Sequence, residues 1–115
     1  MEAVEKFKEL LHQEDLLQQV VDQLNKDLNP TIDFQWNAAS NDPYKDFILE
    51  VRAFVKALMN GNQQSFMQRM YAVDIPESRL VKALEQPNQK SDHVTQLILD
   101  RVTQKVLTRK MFKKK

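Results

Sequence analysis

The strongest periodic signal lies near the end of the chain, where Val94, Leu97, Ile98 and Val102 recur at the three- and four-residue steps of one buried helix face. From Arg101 onward the same segment carries seven Lys or Arg residues and no acid, so one helix both closes a core and presents cations. A second stripe, Tyr44, Phe47, Ile48, Val51, Phe54, Val55, Leu58 and Met59, predicts the central core helix. Asp42 and Pro43 open it as N-cap acceptor and first helical residue, and Asn60 and Gly61 close it, with Gly61 expected to be left-handed.

The other segments follow the same logic. A first helix opens at Glu2 and buries Val4, Phe7, Leu10 and Leu11. Its later apolar set, Leu17, Val20, Val21, Leu24 and Leu28, is turned by about a quarter of a circle at about 100° per residue. The helix therefore bends or breaks near residues 12–15, and a break is preferred because Asp15 and Gln18 form a capping box there. Asn29 and Pro30 end it. A short helix from Asn62 buries Phe66, Met67, Met70 and Tyr71. Asp74 and Glu77 cap the next, which buries Leu80, Val81 and Leu84, and Ser91 caps the last. Between the first two helices Ile32, Phe34 and Trp36 alternate with Asp33 and Gln35, as in an extended segment. That loop, residues 29–42, pins itself to the core with three large side chains, while Trp36 is also a candidate partner contact. The expected fold is all-α, a small orthogonal or up-down bundle of about five helices in a single domain over residues 1–115, with residues 113–115 a frayed basic tail.

Composition narrows the class further. A single glycine suits helices, and 115 residues suffice for one core without metals or disulfides. There is no cysteine, which removes thiol chemistry and fits a reducing cytoplasm. The acidic, periodic start is unlike a secretory signal, and no apolar run is long enough to span a bilayer, so a cytoplasmic protein with no membrane segment is expected. The net charge of +1 hides a polarised chain: residues 1–50 hold eleven acids and four bases, while residues 101–115 hold seven bases and no acid.

Catalytic patterns are weak. Glu9 and His12 have the spacing of a di-iron helix, but the other histidine, His93, has no glutamate three positions before it. Two separated histidines select no triad, one glycine leaves no phosphate-cradling loop, and the helix cap accounts for Asp74 and Glu77. The expectation is a non-enzymatic protein with no catalytic residue, cofactor or metal.

The last helix carries the candidate surface. Arg101, Lys105 and Arg109, at i, i+4 and i+8, form a positive stripe with Val106 along its flank. Leu107 and Met111 make the opposite side apolar, and Phe112 follows. Three readings account for this. The helix is sandwiched in its own fold with its stripe against Glu2, Glu5 and Glu9; or Leu107, Met111 and Phe112 meet a second copy or another protein; or the basic end binds nucleic acid or an anionic membrane surface. The expected function is a protein-interaction or regulatory module contacting its partner through Arg101, Lys105, Val106, Leu107, Arg109, Met111, Phe112 and Trp36, with nucleic-acid binding as the alternative. Salt separates the two, because phosphate binding weakens steeply as ionic strength rises.

Tyr71, Asp74 and Glu77, a Tyr-x-x-Asp-x-x-Glu helix start, precede a terminal Arg-x-x-Gln-Lys-x-x-Thr-Arg helix of Arg101, Gln104, Lys105, Thr108 and Arg109. In this the part from residue 70 onward resembles small bacterial proteins of Bacteroidota. The resemblance implies an all-helical cytoplasmic protein and carries over no site.

Overall fold

The computed structural model describes residues 14–113. The expected helix start at Glu2, the face of Val4, Phe7, Leu10 and Leu11, any break before Glu14 and the tail beyond residue 113 lie outside them. Among the described residues the chain forms five helices and no strand: α1 (Glu14–Leu28), α2 (Pro43–Asn60), α3 (Gln63–Val73), α4 (Glu77–Leu84) and α5 (Lys90–Lys113).

The architecture is a small all-α bundle around α5, which packs against each of the other four helices, while α3 also bridges α1 and α2. Val94, Ile98, Val102 and Val106 are fully buried, and Leu99, Thr95 and Thr103 are almost so. These are two adjacent rows of four-residue steps. Because a helix repeats every 3.6 residues or so, each step advances the buried band by about 40°. The band therefore turns round α5, and different helices cover its two ends. Along the first part α4 lies antiparallel, Gln86 sharing a groove with His93 as Arg79 does with Asp100. Along the last part α1 is antiparallel, Asp27 meeting Lys105 while Asp22 lies beside Arg109.

Helix ends follow local chemistry, with corrections. Asp42 caps α2 by accepting from the Lys45 N–H at 3.1 Å, and Asn62 caps α3 through Ser65 at 3.2 Å. Gly61 is not left-handed: its φ is −102° and ψ −137°. A Cβ there would lie 3.2 Å from the Ala57 carbonyl oxygen, so glycine here permits a close approach. The left-handed positions are Asn29, Asp74 and Gln89. Asp74 ends α3 instead of capping α4, which starts behind Pro76 with no side-chain cap. Ser91 lies inside α5, which begins at Lys90, and its carbonyl accepts from the Thr95 hydroxyl at 2.6 Å. Tyr71 and Val81, expected in the core, are exposed, and Val73 and Ala83 are buried in their place. Phe66, Met70 and Leu80 set the buried faces, Val73 and Ala83 continue them at three-residue steps, and Tyr71 and Val81 lie off them.

The loop between α1 and α2 has no strand, yet it is fastened as if it met one. The Asn25 Oδ1 accepts from the Phe34 N–H at 2.7 Å and its Nδ2 donates to the Phe34 carbonyl at 3.0 Å. This satisfies both backbone groups of a residue whose ring is buried edge-on against Phe54 and Phe47. Trp36 is half-buried against Tyr44 and Phe47. Ile32, expected as a third anchor, is 81% exposed because the chain bends at residues 31–32, before the Asn25 clamp. Arg69 finishes the corner, its Nε donating to the Leu28 carbonyl at 2.8 Å at the end of α1, while its guanidinium lies over Phe54.

Replacing Asn25 by Ala leaves two backbone groups of Phe34 without partners, which should cost about 1–3 kcal/mol in urea unfolding. Ile32→Ser should stay within about 0.5 kcal/mol. Equal effects of the two would mean that the clamp does not hold the loop.

Candidate functional site

The cationic stripe of α5 is not uniformly available. Arg101 reaches the turn between α3 and α4: its Nη2 donates to the Asp74 carboxylate at 2.8 Å and its Nε to the Asp74 carbonyl at 3.0 Å. One side chain thus caps the end of α3 and ties it to α5. Lys105 donates to the buried carboxylate of Asp27 at 2.8 Å and to the Ala72 carbonyl at 3.0 Å. Asp27 also accepts from Gln23 at 2.9 Å, so its charge is both paired and hydrogen-bonded. The acids that hold this part of the stripe are Asp74 and Asp27; the expected Glu2, Glu5 and Glu9 lie outside the described residues.

Other candidate residues divide in the same way. Val106 is fully buried, so its neighbours belong to its own core. Leu107 and Trp36 are half-buried against that core. Arg109 is exposed and lines a groove of about 340 Å³ with Gln19, Asp22, Gln23, Lys26 and Lys110. The side chains of Met111 and Phe112 lie outside the described part. The structure therefore does not gather these residues into one patch: two of the three cations of the stripe are fastenings within the fold, and Arg109 at its end faces outward.

A different surface emerges where α4 and α5 run antiparallel. Arg79, Lys82, Ala83 and Gln86 form one wall, and His93, Gln96, Leu97 and Asp100 the other, around about 280 Å³. Both walls follow i, i+3, i+4, i+7. The groove continues past Leu97 into about 400 Å³ bounded by Ile75, Pro76, Arg101 and Gln104. Its floor is apolar, from buried Ala83 and Ile75 and half-buried Leu97, and its rims are polar. Arg79 and Lys82 are exposed, and among the described residues their side-chain cations have no hydrogen bond or ion pair. The sequence did contain the repeat in 79–86 and 93–100, but Leu97 reads equally well as core and Ala83 carries no hydrophobic weight.

Among the described residues no three His, Asp or Glu side chains come together as metal ligands, and Glu9 and His12 lie outside them. No described helix is long and apolar enough to cross a membrane. No family model, curated protein sequence or solved structure matches the chain.

The Asp74 carboxyl is held below its usual value of 3.8, first by the Arg101 hydrogen bond and then by the Arg101 charge, against a smaller opposing effect of desolvation, with the Lys105 charge adding least. A lowered folded value means that this stabilisation is present above the usual carboxylate value and is lost as pH falls through the folded one. The stability difference between the wild type and Arg101→Met should therefore shrink as pH drops below 3.8. A difference that stays constant through acid unfolding would remove the pair from the account. Lys105→Met should cost about 2–4 kcal/mol by leaving Asp27 buried without its cation, and adding Asp27→Leu should recover most of the loss. Thermal or urea unfolding of the two variants reads this directly.

Proposed function

We propose that this chain is a non-enzymatic interaction module that takes a protein segment into the groove between α4 and α5. The reading is carried by one observation: an apolar floor, open to solvent, flanked on both helices by polar residues at helical spacing. Such a valley accepts the apolar side of a third helix by the same ridge-and-groove fit that packs helices within a core. It involves the C-terminal helix, but of the contact residues expected from the sequence only Arg101 lines this groove.

Nucleic-acid binding is the second reading, and its support is Arg109, exposed beside Lys26 and Lys110. Against it, Arg101 and Lys105 are already held by carboxylates, and Asp22 lies in the same groove. The placement in a bacterial cytoplasm rests on the sequence pattern and the resemblance to Bacteroidota proteins alone.

A photo-crosslinking residue at Gln96, in cells, should give a discrete protein adduct, whereas one at exposed Lys56 on α2 should not. Leu97→Ala should reduce the Gln96 adduct about fivefold or more, since interface anchors are apolar and central. An adduct to nucleic acid, or the same pattern from both positions, would overturn the reading.

A further inference from the structure

We infer that the occupant of the α4–α5 groove is an amphipathic helix of another protein with acidic residues along one edge. This rests on the interaction reading above and adds the partner's chemistry.

Shape limits the occupant first. The groove follows α5 from His93 to Gln104, roughly 16 Å at about 1.5 Å per residue, so it seats about three turns of a helix. Ala83, a small residue, leaves room opposite Leu97, and the apolar positions along the floor call for apolar side chains at i, i+3 or i+4 and i+7 on the occupant.

Charge then orients it. On the α4 wall Arg79 and Lys82 are one turn apart and both exposed, their side-chain cations without partners among the described residues. The two acids of that helix, Glu77 and Glu85, do not line the groove. Arg101 at the far end is neutralised by Asp74. The α5 wall is different, with His93 and Gln96 followed by Asp100. An occupant with two carboxylates at i and i+3 or i+4 along its α4 edge matches Arg79 and Lys82. A phosphate backbone does not match the site, because it would lie over the apolar floor of Ala83 and Leu97. The cations are solvent-exposed, so they set orientation and partner choice more than affinity.

The test is an NMR titration of the full chain with two helix-prone synthetic peptides sharing one leucine stripe, with Glu or Lys along the edge. The Glu peptide should shift amides of residues 79–83 and 96–100 and bind about fivefold or more tightly than the Lys peptide. The exposed double variant Arg79→Glu, Lys82→Glu should reverse that preference. Equal binding of both peptides in the groove overturns the acidic edge and leaves the interaction reading standing. Absence of either peptide from the groove, with the Gln96 crosslink retained, also overturns the acidic helix alone. Loss of both signals overturns both. A crosslink whose mass is that of two copies of this chain replaces the acidic partner with self-association.

Discussion

The burial of α5 on more than one side is the constraint on which the other elements depend. α1 and α2 have no backbone contact with each other among the described residues; they meet α5 and α3 instead. Removing α5 would therefore expose the apolar faces of its neighbours together, because α3 alone is too short to cover both α1 and α2. The turning band of Val94, Ile98, Val102 and Val106 lets one helix serve several partners, whereas a straight stripe would serve one.

Two cations fasten this arrangement at its seams. Arg101 spans α5 and the α3–α4 turn, and Lys105 spans α5, the end of α1 and the end of α3. Neither pair is a strong source of net stability, since the Asp74 pair is exposed to water and the Asp27 pair bears a desolvation cost. What they provide is register: each bond can form only when α5 has the right rotation and axial position. The groove between α4 and α5 inherits its shape from that register, because Arg101 stands at one end of it.

Strong local signals were legible in the chain itself. The α2 stripe, the Asp42 cap, the short helix from about Asn62 and the stop at Asn29 and Pro30 all come from interactions within a few residues, and the structure places them as expected. Weaker segments were less legible. In α3 and α4 the buried faces run through Val73 and Ala83, while Tyr71 and Val81, two positions earlier and so on nearly the opposite side, are exposed; the neighbouring helices choose the face. Asp74 carries the local signature of an N-cap, yet Arg101, distant in sequence, draws its carboxylate to α5 and leaves its backbone to close α3. Ile32 shares the alternation of Phe34 and Trp36, but the Asn25 clamp reaches only Phe34.

The same division holds for the candidate surface. The amino-acid sequence by itself determined an all-helical chain with a polarised charge distribution and a last helix too apolar for a single exposed face, because periodicity and charge are properties of near neighbours. Tertiary structure alone decided which cations are used up and which are available. Arg101, Lys105 and Arg109 are equivalent as a stripe, but among the described residues the carboxylates of Asp74 and Asp27 form ion pairs with the first two. It also decided where an open apolar valley lies, since a groove belongs to two helices at once and its depth is set by the side chains of both.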